Sequence, residues 1–286
     1  MSRRVRSRFG LPRLLLPVLA ACLLAACSAT LPTLPPLADS GVEHPGKIVW
    51  HDLVTPDPGR ARAFYGALLG WTLEQLSNGY WLARNDGIAV AGIAALNSSQ
   101  GLAHWLAHMS VPDVDAAAEL AKSNGGEILL KPFDLPGRGR VAVLRDPQGA
   151  AFAVLRTRGG DPVDGEPLLN GWLWNEIWTL APELGVPFYQ SLTGLRSDRR
   201  QVDGIDYRYL AEGQTPRFGL IEKPNRGLAN TWVSYVRVDD ARVAAATVPA
   251  LGGKVMVGPR PTLRDSTVAI ITDPNGAGLV LQEWNP

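Results

Sequence analysis

Cysteine and histidine are scarce in this chain of 286 residues. Both cysteines, Cys22 and Cys27, lie in the short run LAACLLAAC, so everything after residue 27 has no disulfide and must be stabilised by its core. The four histidines all precede residue 109, which leaves the second half of the chain without an imidazole to bind a metal. The patterns GxSxG, HExxH, GxGxxG and the P-loop are also missing. The usual sequence signs of serine hydrolases, zinc proteases and nucleotide-binding proteins are therefore absent.

The chain also has no apolar run long enough to span a bilayer. The stretch from Leu14 to Leu24 is roughly a dozen residues, whereas a transmembrane helix needs about 20. Five arginines and no acidic residue precede it, and small residues follow it, which is the order of a secretory signal. The sequence predicts that this segment is cut off rather than left in the membrane.

Each LAAC copy resembles the bacterial lipobox, in which the cysteine carries lipid on its sulfur and becomes the new N-terminus. Cutting before Cys22 would leave LLAA on the mature end and shorten the apolar region, so Cys27 is the favoured lipidation site. An ordinary secretory signal is the alternative. A serine after the cysteine, here Ser28, is usually associated with the outer membrane in bacterial lipoproteins. The resemblance implies an envelope protein, anchored at the outer membrane through its N-terminal lipid and facing the periplasm.

Loss of residues 1–26 changes the charge balance. The 28 basic and 27 acidic residues become 23 and 27, a net charge of −4, because the segment holds five arginines and no acid. No basic patch remains that would favour nucleic acid or a second membrane contact. We expect a small-molecule ligand and no nucleic-acid partner.

An internal repeat divides the rest of the chain. WHDLVTPDPGRARAFYGALLGW from Trp50 matches WNEIWTLAPELGVPFYQSLTGL from Trp174 at an offset of 124, and DPQGA from Asp146 matches DPNGA from Asp273 at an offset of 127. The proline-containing stretch before the first copy has no periodicity and is typical of an extended tether. The predicted organisation is a signal peptide (1–26), a tether (27–46), a first domain (47–157), a linker (158–167) and a second domain (168–286).

Local patterns predict the same order of elements twice in the first domain. KIVWHDLV has strand composition, and Asp57 then caps a helix with Pro58 at its first position and Gly70 at its end. Three short strand-like runs follow, and the pattern restarts at WLAHMSV. Each domain is therefore predicted to be α+β and to consist of two βαβββ units.

The segments DPGRARAFYGALLGW, VPDVDAAAELAKSNGG and DPQGAAFAVL, with their looser second copies, resemble the vicinal oxygen chelate superfamily. This group includes glyoxalases, bleomycin-resistance proteins and extradiol dioxygenases. The resemblance covers roughly residues 47 to 284. It implies two tandem domains, each a pair of βαβββ modules that form an open, eight-stranded, barrel-like sheet around a cavity.

Enzymes of that superfamily hold a divalent metal with His, Gln or Glu side chains on the first, fifth and last strands of a domain. The equivalent positions in this sequence are Trp50, Leu106, Ala153, Trp174, Val233 and Val280. None of them is a good metal ligand, so we expect no metal and no other cofactor. A one-residue register shift would instead bring in His51, which with His108 would make a two-histidine remnant, and would turn Asp52 to the other face. A metal-dependent lyase, isomerase or dioxygenase with non-standard ligands drawn from His51, Asp52 and His108 is the alternative.

The same positions suggest a different lining for the cavity. If Trp50 faces inward then so does Asp52, because strand side chains alternate, and the repeat places Trp174 and Glu176 in the same way. An indole beside a carboxylate suits an aromatic or cationic ligand. The alternative is that the tryptophans are core residues and each acid binds the backbone or an arginine.

Further candidates lie on the fifth strands and in one turn. Trp105 and Trp232 are predicted to pack within the sheet. His108 and Tyr235, three residues later, can orient a ligand without metal. The arginines of GRGRVAVLRDPQG, Arg138, Arg140 and Arg145, either bind a carboxylate or phosphate or are solvated. The sequence as a whole favours a lipid-anchored protein that binds a small molecule in a metal-free cavity, with a purely structural envelope protein as a third alternative.

Overall fold

The structure is a computed structural model that describes residues 33–77, 79–96, 103–202, 204–262 and 264–284. The predicted signal peptide and both cysteines lie outside these ranges. No helix within them is long and apolar enough to cross a bilayer.

Eight strands of the first domain form one mixed sheet. In chain order they are β1 (Ile48–Thr55), β2 (Thr72–Ser77), β3 (Tyr80–Asn85), β4 (Ile88–Ala95), β5 (His104–Ser110), β6 (Glu127–Leu135), β7 (Gly139–Arg145) and β8 (Ala151–Thr157). Their order across the sheet is β2-β3-β4-β1-β5-β8-β7-β6. Strands β1 and β4 are parallel, as are β5 and β8, and the antiparallel pair β1–β5 joins the two βαβββ halves.

The second domain repeats this arrangement. Its strands are β9 (Trp172–Thr179), β10 (Arg196–Val202), β11 (Ile205–Glu212), β12 (Thr215–Glu222), β13 (Thr231–Val238), β14 (Lys254–Val257), β15 (Val268–Thr272) and β16 (Gly278–Glu283). They are ordered β10-β11-β12-β9-β13-β16-β15-β14. The predicted α+β fold, with two tandem domains of paired βαβββ modules, is confirmed.

One helix crosses each βαβββ unit. The four helices are α1 (Pro58–Leu69), α2 (Val114–Ser123), α3 (Pro182–Thr193) and α4 (Ala241–Thr247), and short 3-10 turns span Pro249–Leu251 and Arg264–Ser266. The Asp57 carboxylate accepts from the Arg60 N–H at the start of α1, and Gly70 ends that helix with φ +70°. Asp113 caps α2 in the same way.

The helix-bearing faces of the two sheets pack against each other. One apolar cluster joins Leu53 and Phe64 of the first domain to Leu281 of the second, and another joins Phe152 to Phe218. The opposite face of each sheet points away from this contact between the domains and is here called the inner face. Its apolar part in the first domain includes Leu106, Val141 and Leu155.

The chain ahead of β1 lies along the first domain. We call residues 33–46 the N-terminal arm. Leu34 is 2% exposed and donates its N–H to the Pro136 carbonyl at 2.8 Å, and Leu37 packs against the apolar cluster of the inner face. The buried Asp161 carboxylate accepts the His44 N–H at 2.7 Å and so fixes the far end of the arm. This part of the predicted tether is extended, but it is packed on the domain rather than detached from it.

Candidate functional site

Trp50, Asp52 and His108 come together on the inner face of the first domain. Trp50 Nε1 donates to Asp52 Oδ1 at 3.0 Å, and the Tyr80 hydroxyl donates to the same oxygen at 2.9 Å. His108 Nε2 lies 3.0 Å from Asp52 Oδ2, while His108 Nδ1 has no hydrogen-bond partner among the described residues. A carboxylate, an indole, a phenol and an imidazole therefore form one buried cluster.

Strand register explains this arrangement. In the β1–β5 pair Trp50 lies opposite His108 and Asp52 opposite Leu106, so these four side chains share one face. Gly92, on β4 opposite Asp52, provides the space. A Cβ there would come within 2.0 Å of Asp52 Oδ1 and 2.1 Å of the Tyr80 hydroxyl. Only glycine permits the tyrosine and the carboxylate to meet at this point.

Arg138 is the second charged group of this site. Its guanidinium Cζ lies 4.1 Å from the centroid of the Trp50 ring, and the side chain is 1% exposed. None of its three guanidinium nitrogens has a hydrogen-bond partner among the described residues. Burial by itself would raise the pKa of Asp52, but His108, together with Arg138 and Tyr80, holds it below its ordinary value. Asp52 is thus a carboxylate in a site that also contains an unpaired guanidinium.

Glu176 forms the corresponding cluster in the second domain. The Tyr207 hydroxyl donates to Oε1 at 2.8 Å, Trp178 Nε1 donates to Oε2 at 3.1 Å, and Tyr235 also donates to Oε2. Arg264 Nη2 lies 3.2 Å from Oε1. Burial, followed by the charge of Glu176, raises the pKa of both tyrosines above the ordinary value. With four donors the carboxylate is satisfied.

Trp174 contacts this second cluster indirectly. Its Nε1 donates to the Tyr207 hydroxyl at 2.6 Å rather than to Glu176. All three predicted site residues of the second domain therefore lie on its inner face, but Trp174 does not pair with the acid as Trp50 does.

His51 does not join His108. Its side chain points to the helix-bearing face, where Nε2 lies 2.8 Å from Asn175 Oδ1 and the ring stacks on Trp172 at 3.8 Å between centroids. Burial, only partly offset by the Asn175 hydrogen bond, lowers the pKa of His51 to about 3. The two-histidine alternative needs both rings on one face, and the structure places them on opposite faces.

The remaining candidates separate into packing, surface and site residues. Trp105 and Trp232 lie on the helix-bearing faces and donate to the hydroxyls of Tyr65 and Tyr189, in agreement with a packing role. Arg140 pairs with Asp115 and Asp134, and Arg145 pairs with Glu127, all at exposed positions. Of the three arginines in the turn, only Arg138 is part of the buried site.

A divalent metal does not fit these donors. The described residues contain no group of three or more His, Cys, Asp or Glu side chains arranged to hold an ion. Among the described residues, Asp52 and His108 are the only His, Cys, Asp or Glu side chains in the first cluster. They contact each other, and Asp52 Oδ1 already accepts two hydrogen bonds. Glu176 is saturated by four donors. An ion would have to displace these donors to reach an oxygen lone pair.

Sequence reasoning missed Tyr80, Gly92 and the burial of Arg138. One signal was available: Tyr80 and Gly92 recur 127 residues later as Tyr207 and Gly219. Gly219 has the same function, because a Cβ there would lie 2.1 Å from the Tyr207 hydroxyl. A tyrosine and a glycine that recur together beside a recurring acid indicate that the three side chains meet.

Comparison with known proteins agrees with this architecture. Residues 47–154 match the family model described as "Glyoxalase/Bleomycin resistance protein/Dioxygenase superfamily". CFP32 of Mycobacterium tuberculosis (strain CDC 1551 / Oshkosh), whose name gives it only a provisional glyoxylase assignment, is 33% identical over 240 residues, or 80% of this chain and 91% of that protein. The chain belongs to the glyoxalase/bleomycin resistance/dioxygenase superfamily. It is also similar to the anthracycline biosynthesis protein DnrV of Streptomyces peucetius, with 32% identity over 84% of this chain and 94% of that protein.

Solved structures show the same fold at lower identity. The Mn(II)-bound glyoxalase from Novosphingobium aromaticivorans superposes with a TM-score of 0.58 at 14% identity, covering 85% of this chain and 83% of that chain. Homoprotocatechuate 2,3-dioxygenase from Arthrobacter globiformis gives a TM-score of 0.59 at 16% identity, with coverage of 88% and 82%. At these identities the likeness concerns the fold alone.

Proposed function

We propose that this protein is a lipid-anchored envelope protein that binds a small planar molecule, without a metal ion, on the inner face of its first domain. The observation that carries the proposal is the buried cluster around Asp52, in which His108 Nδ1 and the Arg138 guanidinium have no hydrogen-bond partner among the described residues. Buried polar groups are nearly always paired in folded proteins, so unpaired groups gathered in one place favour a ligand site.

The arrangement favours an aromatic ligand over a cationic one. Arg138 already covers one face of the Trp50 ring, and the Asp52 carboxylate is already engaged by three side chains. A second cation would be repelled by Arg138 at short range. Two relatives are named for anthracycline biosynthesis, and anthracyclines are planar aromatic compounds, which supports the same choice.

Calorimetric titration of the chelator-treated full chain, in detergent micelles, with planar aromatic probes tests the proposal. His108→Phe removes both ring nitrogens of the first cluster, and Tyr235→Phe is the matched change in the second. We expect one saturable site per chain, weakened at least about fivefold by the first substitution and unaffected by the second. Binding that requires an added divalent metal would instead support the metal-dependent enzyme.

A further inference from the structure

The buried guanidinium of Arg138 lacks a counter-anion in hydrogen-bond contact. An arginine that is 1% exposed has lost almost all of its hydration, and its three nitrogens have no hydrogen-bond partner among the described residues. Stacking on Trp50 and the more distant charge of Asp52 offset only part of that loss. A buried charge without a bonded partner is the kind of feature that ligand sites retain.

The second domain shows what a completed pair looks like. Arg264 Nη2 contacts Glu176 Oε1 at 3.2 Å on the inner face of the second domain. In the first domain the acid is Asp52, whose side chain is shorter by one methylene and is held by Trp50 and Tyr80. The chain therefore supplies a contacting carboxylate to one of the two arginines and not to the other.

A groove with both charged and apolar surroundings lies beside the turn that carries Arg138. A groove of about 630 Å³ runs beside the N-terminal arm, and Gly137 and Gly139, the sequence neighbours of Arg138, line it. Its charged lining consists of Arg140, Arg156, Arg158, Glu43 and Asp134. Leu34 of the arm is buried against the turn that precedes Arg138, and Leu37 packs on the apolar inner face, so an apolar ring that displaced them would find matching surface.

We propose that the ligand of the first domain is an aromatic carboxylate, whose carboxylate pairs with Arg138 and whose ring takes the place of Leu34 and Leu37. The inference rests on the proposed function and adds the charge of the ligand. A guanidinium can bind a carboxylate through two parallel hydrogen bonds, which gives both strength and orientation.

Titration of the full chain in detergent micelles with 2-naphthoate and with its neutral isostere 2-naphthamide tests this inference. We expect naphthoate to bind on the order of 10- to 100-fold more tightly than the amide. Arg138→Met should abolish that preference, whereas Arg145→Met, the same change at a partly exposed arginine outside the groove, should preserve it. Replacing both Leu34 and Leu37 by serine should tighten both probes alike, because the arm then competes less for the site.

Each other outcome contradicts a specific part of the account. Equal binding of the two probes overturns the carboxylate assignment and leaves the proposed function standing, whereas failure of both probes to bind overturns both. A preference that survives Arg138→Met overturns the role of Arg138. If that variant does not fold, Arg138→Lys, which keeps the charge but loses the two-pronged donor, decides: an undiminished preference for naphthoate would again overturn the assignment.

Discussion

Arg264 and Glu176 are joined by a 3.2 Å contact, whereas Arg138 makes no hydrogen bond to Asp52, the acid of the first domain, which is one methylene shorter than Glu176. The two sites of the repeat therefore differ in how their arginine and their acid are paired. The second carboxylate is fully paired within the chain, and the first leaves a buried guanidinium available.

Lengthening Asp52 should convert the first site into the second. In Asp52→Glu the added methylene lets the carboxylate reach Arg138, so we expect 2-naphthoate affinity to fall on the order of 10-fold or more. Titration calorimetry measures this, and Glu176→Asp is the matched control that should leave naphthoate affinity unchanged. An Asp52→Glu chain that binds naphthoate as well as the unmodified chain would show that Arg138 does not anchor the ligand.

Gly92 should be intolerant of a side chain. A methyl group there would overlap Asp52 Oδ1 and the Tyr80 hydroxyl, so Gly92→Ala should lower the free energy of unfolding by about 1–3 kcal/mol and weaken ligand binding. Gly278, in β16, has open space where a Cβ would lie, so Gly278→Ala should change the free energy of unfolding by less than about 0.5 kcal/mol. Denaturant unfolding compares the two, and equal effects would contradict the close approach described here.

His51 should make stability fall in mild acid. Its pKa of about 3 in the folded chain lies below the ordinary histidine value of 6.5, so between these values the unfolded chain binds more protons and the folded state loses stability as pH drops. From pH 7 to pH 5 this one group should cost about 2 kcal/mol. His51→Gln keeps a donor toward Asn175 and cannot titrate, so it should lose that part of the pH dependence. Denaturant unfolding at the two pH values tests this, and identical slopes for both chains would contradict it.

Cys27 should carry the anchor. In bacterial cells that are fed a labelled fatty acid, Cys27→Ser should abolish labelling and leave the protein in the soluble fraction, whereas Cys22→Ser should remain labelled and bound to membranes. Labelling that is lost only in Cys22→Ser would move the cleavage site. Labelling of neither the unmodified chain nor the variants would favour the ordinary secretory signal.

Much of the fold and part of the site were predictable from the sequence. Helix caps at Asp57 and Asp113, glycine stops and the repeat predicted the order of elements, because these signals act within a few residues of one another. Alternation along β1 placed Trp50 and Asp52 on one face, and their hydrogen bond confirms it. His108 lies on the same face because its strand is paired with β1.

The rest depends on contacts between distant segments. Leu34, about a hundred residues earlier, packs against the turn that precedes the buried Arg138, and no local pattern predicts that contact. His51 and Asn175, which occupy equivalent positions in the repeat, meet at the domain interface only because the helix-bearing faces pack together. Alternation gave the face of each side chain but could not say what covers it.

The most direct test of the central claim is titration of the chelator-treated full chain with 2-naphthoate, with metal content determined by mass spectrometry on the same sample. The account predicts one saturable site per chain, with metal at background. Naphthoate binding that appears only after one equivalent of divalent metal is restored would contradict it.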